Sequence, residues 1–239
     1  MRGFFFWGAL PFLLPQALYV RRFAPRLPPA AGPTEGSYGR GRRLRLIGIG
    51  DSIIAGVGAN RLSDALIGRT AEALATCSNR LVHWSAVGLN GANSASVLQQ
   101  LLPRLPPEKA DVIILSMGVN DVTALTRLAQ WTRNIRELLR LLRAHSPDSL
   151  ITVAGLPPLH EFPLLPQPLR AVLGVRARML DGALHEIVAT TANSVYVPLD
   201  FDPAPEKFAS DGYHPSAEGY REYGDSMARR IAAAIAADA

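Results

Sequence analysis

The sequence predicts an α/β fold, a three-layer α/β/α domain built on a five-stranded parallel sheet. Three observations predict it. Short apolar runs, partly β-branched, alternate with longer stretches of helical periodicity, the pattern of a parallel sheet covered on both faces. With 239 residues the chain is long enough to bury a full core as one domain. Hydrophobic residues make up 48% and charged residues 19%, a globular balance with an apolar excess.

That excess gathers at the N-terminus. Gly3 to Val20 carries no charge and is rich in Phe, Leu and Trp, at the short end of what spans a bilayer. Pro11, Pro15 and Gln16 weaken it as a span. A basic start is limited to Arg2, and the nearest small residues, Ala30 and Ala31, lie beyond a proline pair, so a cleavable leader is poorly supported. The expectation is an uncleaved anchor, residues 1–22, with the arginines that follow holding the next domain on the cytoplasmic side. The alternatives are a cleaved signal peptide with export, a helix lying in the membrane interface, and an apolar arm packed on its own domain. Residues 23–43, rich in Pro, Gly and Ala, read as a linker, and residues 44–239 as the folded domain.

The elements follow in order. Leu44 to Ile49 is a buried strand stopped by Gly50-Asp51-Ser52. Ser63 or Asp64 can cap a helix running to about Thr76, with Leu66, Ala73 and Leu74 toward the core. Leu81 to Val87 is a second strand. Ser94 to Leu102 is a short helix ended by Pro103, and Asp111 to Leu115 is a third strand. Leu128, Ile135, Leu138, Leu139 and Leu142 mark one face of a long amphipathic helix ending near Pro147. Leu150 to Ala154 is a fourth strand, followed by a Pro/Leu loop to Leu169 and a helix to Thr191. Val195 to Val197 is the fifth strand. Ser216 opens the last helix, with Tyr220, Tyr223, Met227, Ile231 and Ile235 on its apolar face. Cys77, the only cysteine, can form no intrachain disulfide and is expected to pack as a small buried apolar group.

The net charge of +5 is carried almost wholly by arginine, Lys109 and Lys207 being the only lysines. These arginines are scattered rather than gathered with aromatics on one element, which speaks against a nucleic-acid surface. No His pairs with another His or Cys at metal-ligand spacing: His83 lies in a strand, His145 ends a helix and His185 lies within one. His160-Glu161 reads as a surface pair. A dinucleotide fingerprint begun at Gly48 and Gly50 fails at Ile53, and Ser52-Ile53-Ile54 lacks the Gly-x-Ser-x-Gly elbow.

Four short blocks remain: Gly50-Asp51-Ser52, Gly88-Leu89-Asn90-Gly91, Gly118-Val119-Asn120-Asp121 and Asp211-Gly212-Tyr213-His214. Taken singly, Gly91 reads as a turn glycine, Asn120-Asp121 as a helix cap and His214 as a loop histidine. In this order, each at a strand end or before the final helix, they resemble the blocks of the SGNH hydrolase superfamily, the GDSL esterases and lipases. The resemblance covers Leu44 to the C-terminus and implies the flavodoxin-like strand order 2-1-3-4-5.

Acyl transfer needs a nucleophile, a base, a group orienting the base, and donors for the developing oxyanion. Ser52 is the nucleophile candidate and His214 the base. Asp211, three residues before His214, can hold its tautomer from the same loop. The resemblance makes Gly91, through its N–H, and Asn120, through its amide, oxyanion donors beside the Ser52 N–H; a side chain at Gly91 would crowd the acyl oxygen. Gly50 and Asp51 are expected to be structural, Asp51 bonding turn amides rather than titrating in the reaction. Asn90 and Val119 depart from the family's usual residues. The loop Leu156 to Pro166 emerges at the same sheet edge as Ser52, so Leu159 and Phe162 are expected to wall the substrate pocket.

The implied activity is hydrolysis of carboxylic esters, short- to medium-chain, lipid-like or aryl, through an acyl-serine, with a small-molecule or lipid ester as substrate. No cofactor and no metal is implied. Carbohydrate O-deacetylation or O-acyl transfer could use the same residues, and an inactive membrane-tethered binding domain is the reading from another class.

Overall fold

The computed structural model describes residues 13–20, 22–23, 25–162, 164–199 and 204–237. Its sheet contains β1 (Glu35–Tyr38), β2 (Arg43–Gly50), β3 (Leu81–Gly88), β4 (Val112–Ser116), β5 (Leu150–Ala154) and β6 (Ser194–Val197). They stand in the order β1-β3-β2-β4-β5-β6. The five strands from β2 onward are parallel and keep the expected relative order. The addition is β1, which pairs antiparallel with the outer side of β3, Glu35 opposite Ser85 and Tyr38 opposite Val82.

Alternation along the strands builds two cores. Leu44 and Leu46 of β2, Val112 and Ile114 of β4 and Val82 and Trp84 of β3 face α1 (Leu66–Ser78) and α5 (Ala217–Ala237). Ile47, Ile49, Ile113, Leu115, Ile151 and Val153 face the opposite way, onto α3 (Leu128–His145) and α4 (Leu169–Ala189). A strand offers both faces because successive side chains point oppositely, and here both faces are apolar, as a covered parallel sheet requires. The carboxyl ends of β2, β3 and β4 therefore open at one edge, followed by the turn at Ser52, the loop at Gly91 and the short helix α2 (Val119–Thr123).

Several expectations are corrected. The linker reading of residues 23–43 missed β1, whose burial alternates between exposed and half-buried; an edge strand with so little apolar content carries no periodic signal. Cys77 is exposed rather than buried, since α1 buries Leu66, Ile67, Thr70, Ala71, Leu74 and Ala75, and Cys77 falls on the outer side. Neither Ser63 nor Asp64 caps α1: Leu62–Asp64 forms a 3₁₀ turn, the cap position is Ala65, and Asp64 instead pairs with Arg69 at 2.7 Å. Ala73 is only partly buried. On α3, Leu128 is exposed, and Trp131 takes the inward place, fully buried with its indole N–H donating to the Leu180 carbonyl at 3.0 Å. At the last helix the Ser216 hydroxyl does accept the Gly219 N–H, at 3.2 Å.

Residues 1–12 and 21 of the expected anchor lie outside the described residues. Residues 13–20 are helical and lie against their own domain: Leu13 is buried, and Ala17 and Val20 pack on the core beneath α3 and α4. Gln16 donates to the Gln167 carbonyl at 2.9 Å and accepts the Leu169 N–H at 3.2 Å. Among the described residues no helix is long and apolar enough to cross a membrane.

Candidate active site

The site begins where β2 ends. Gly50 has φ +156°, and a Cβ there would fall 1.8 Å from the Ser116 carbonyl oxygen at the end of β4. Only a bare backbone can approach so closely. The same carbonyl accepts the Asp51 N–H at 3.0 Å, which fixes the turn, and Val57 N–H then bonds the Ser52 carbonyl at 2.9 Å. Asp51 accepts the Ile53 N–H through Oδ1 at 3.1 Å, the structural part expected of it. Its carboxyl is nevertheless not inert to pH: burial pushes it up to about 7.

His214 arrives on a loop closed upon itself. Ala209 N–H bonds the His214 carbonyl at 2.8 Å, and Phe208 and Pro215 form an antiparallel bridge. Inside this loop Asp211 Oδ1 accepts the N–H groups of Tyr213 and His214, both at 3.0 Å. Asp211 Oδ2 lies 2.6 Å from His214 Nδ1, and His214 Nε2 lies 3.0 Å from Ser52 Oγ. A carboxylate can only accept, so Nδ1 carries the proton and Nε2 is left to accept from the serine hydroxyl. Burial acts to raise the Asp211 carboxyl, but the bonds from the His214 ring and from the two backbone N–H groups outweigh it and hold the group below its ordinary value.

Two contacts bring this loop to Ser52. Gly58 has φ +97°, and a Cβ there would sit 2.3 Å from the Pro215 carbonyl oxygen, so a side chain would push the histidine loop away. On α5 the buried Tyr220 hydroxyl donates to the Val57 carbonyl at 2.7 Å, tying the last helix to the turn after the serine.

Asn120 uses one amide proton on the Ala92 carbonyl at 3.0 Å, leaving the other for a partner in the cavity. Among the described residues the N–H groups of Ser52 and Gly91 meet no intramolecular acceptor. Gly91 has φ +80°, while a Cβ there would meet no atom within 4 Å. The backbone conformation by itself calls for glycine there.

These groups face a cavity of about 380 Å³. Ser52, His214, Asn120 and Asp51 line it, and Gly91 does not, although its neighbour Asn90 does. Met117, Val119, Phe162 and Leu199 supply apolar wall. Phe162 is held by edge-on contacts to Phe208 and Tyr213, with centroids 5.4 and 5.3 Å away. Leu159, expected beside it, is fully buried in the core and lines no part of the cavity. The reason is Gly174 of α4, whose missing side chain lets the Leu159–Glu161 turn press in; a Cβ there would lie 2.7 Å from the His160 Cβ. His160 and Glu161 form a surface pair at 3.5 Å.

Sequence reasoning passed over Arg26, Met117 and Leu199 as lining residues. Met117 adjoins a recognised block and Leu199 follows β6, so the rule that ligands bind beyond the carboxyl ends of the strands would have found both. Arg26 comes from the stretch read as linker and carries no local signal.

An imidazole poised on a serine hydroxyl, beside amide donors that face the same apolar cavity, serves acyl transfer to and from oxygen, and the protein is of the carboxylic ester hydrolase class. The chain belongs to the GDSL-like Lipase/Acylhydrolase family, whose sequence pattern matches residues 49–222. It is 30% identical over 240 residues to a GDSL-like esterase of Mycobacterium tuberculosis, an alignment covering 91% of this chain and 75% of that one. Its fold is similar to that of a lipase from a goat rumen metagenome, with a TM-score of 0.61 at 19% identity over 80% of this chain and 97% of the other. A carbohydrate esterase family 2 enzyme of Corynascus thermopiles has the same TM-score of 0.61 at 18% identity, over 88% of this chain and 69% of that one.

Proposed function

We propose that Ser52 is the nucleophile, His214 the general base and Asp211 the residue that orients His214, in an esterase acting on apolar short- to medium-chain acyl esters. The observation that carries this is the continuous hydrogen-bonded line from Asp211 Oδ2 through His214 to Ser52 Oγ. Ser52 Oγ bonds to the ester carbonyl carbon as its proton passes to Nε2. The N–H groups of Ser52 and Gly91 and the free Asn120 amide proton receive the charge that develops on the carbonyl oxygen. The alcohol leaves with the proton from His214. Water, deprotonated by the same nitrogen, then attacks the acyl carbon and releases the carboxylic acid and the serine.

The apolar wall of Met117, Val119, Phe162 and Leu199 favours an aliphatic or aryl acyl group over an acetylated glycan. The catalytic unit then starts at β1 rather than at residue 44, because that strand belongs to the sheet. Labelling by a fluorophosphonate tests the reading: one site is modified in the wild type and none in Ser52→Ala. An unlabelled wild-type protein would overturn it in favour of a binding domain without turnover.

A lipid surface is the second partner we propose. Leu14, Leu18, Tyr19 and Phe23 are four of the five exposed large apolar side chains among the described residues. The run before them, Gly3 to Phe12, is uncharged, and Arg21 and Arg22 lie beside them in sequence, suited to anionic headgroups. Leu164 and Pro166, from the loop that also supplies Phe162, line a groove against Tyr19 and Phe23. The full chain is expected to sediment with vesicles containing phosphatidylglycerol, and Leu18→Glu with Tyr19→Glu to release it. Equal sedimentation of the two proteins, or none of either, would refute this.

A further inference from the structure

Gly91 and Asn120 follow β3 and β4, and these strands are not neighbours, because β2 stands between them. Pairing fixes Gly88 and Ser116 on either side of Gly50 but ends there, three residues short of Gly91 and four short of Asn120. Something beyond the sheet edge has to set the distance between the two donors.

Asp121 makes that connection. Its carboxylate is fully buried, with Oδ2 accepting the Ser94 N–H at 2.7 Å and Oδ1 accepting the Ser94 hydroxyl at 2.7 Å. The neighbouring Asn120 amide bonds the Ala92 carbonyl. Two consecutive residues of α2 thus grip Ala92 and Ser94, just after Gly91. The grip is braced from α3: Asn134 donates to Ser94 Oγ at 2.8 Å and accepts from Gln130 at 2.6 Å. Arg176 of α4 bonds the carbonyls of Val122 and Thr126, fixing the far end of α2 and placing a cation near the carboxylate.

We propose that Asp121 is a positioning residue for ester hydrolysis, holding the Gly91 loop and Asn120 in the mutual register in which both can donate to one oxyanion. The inference rests on the donor roles given above to Gly91 and Asn120. A buried carboxylate is costly unless its oxygens are bonded, and charge-assisted bonds to a backbone N–H and a hydroxyl are strong and directional. That directionality is what an oxyanion site needs, since a donor displaced by about 1 Å can forfeit a hundredfold in rate.

The test is a double-mutant cycle on the full chain, reading kcat, KM and Tm with a short-chain aryl ester. Asp121→Asn is expected to lower kcat about tenfold or more with KM within about twofold. Ser94→Ala, a milder change that removes one of the carboxylate's bonds and frees Asn134, is expected to act in the same direction and keeps the test available if Asp121→Asn folds poorly. In an Asn120→Ala background, whose own kcat is about a hundredfold down, either change should cost much less than it does alone. Additive losses, or unchanged kcat with a lowered Tm, would reduce Asp121 to a structural residue and overturn the inference. An Asn120→Ala enzyme with normal kcat would instead overturn the donor reading on which it rests, so the two failures are distinguishable.

Discussion

Asp51→Asn isolates one buried acid whose ionisation should be visible in the stability of the whole domain. Burial pushes this carboxyl from its ordinary 3.8 up to about 7. An acid with a higher pKa folded than unfolded binds its proton more tightly in the native state, so its contribution is most favourable below about pH 4. The contribution is lost as the pH rises, because the unfolded chain ionises first, and the loss is complete once the pH passes the folded value near 7. Roughly three pH units at about 1.4 kcal/mol each put the full difference at roughly 4 kcal/mol. Asparagine keeps an Oδ1 that can accept the Ile53 N–H, so the substitution leaves the turn bonded and removes only the charge. The assay is urea unfolding of wild type and Asp51→Asn at intervals from pH 4 to 8.5. The variant is expected to gain on the wild type by up to about 1.4 kcal/mol per pH unit, then level off above pH 7. A difference constant across the range, or one that shrinks with rising pH, would refute the assignment.

Ser52→Ala and His214→Ala should each abolish turnover of a short-chain aryl ester, and the double variant should lose little more, since the pair acts as one unit; clearly additive losses would contradict this. Asp211→Asn should cost less than either, because nucleophile and base both remain. For Phe162→Ala the measurement is kcat/KM for acetyl, butyryl and hexanoyl esters and for an acetylated glycan. Wild type should favour the longer acyl chains by several-fold per methylene, up to about 0.8 kcal/mol each, and the variant should flatten that profile. A profile that is flat from the start, or a preference for the glycan, would point to carbohydrate deacetylation.

The parts of this protein legible in its sequence are those in which the local signal and the tertiary outcome coincide. The runs Leu44 to Ile49, Asp111 to Leu115 and Leu150 to Ala154 are mostly apolar, with side chains for both faces, so they read as covered strands and are found as such within a residue or two. Ser52, Asp211 and His214 were readable because each sits in a compact block, and the structure brings the three within hydrogen-bond reach. What escaped was decided by neighbours distant in sequence. Edge strand β1 has a register set by β3, Leu159 is drawn inward by the gap at Gly174, and Cys77 is turned outward by the packing of α1 on α5. Asp121 looked like a helix cap because Ser94, 27 residues away, is what gives it another partner.

The carboxylate and the imidazole belong to one closed loop, while the serine belongs to another segment of the chain. Displacing that loop as a body carries acid and base along together, so their 2.6 Å bond survives and only the 3.0 Å separation to Ser52 changes. Within the proposed triad, one separation is therefore left for the rest of the fold to set. The Tyr220 hydroxyl on Val57 ties α5, the helix that follows the loop, to the turn after the serine, so the two segments that must meet are held by a bond outside the site itself.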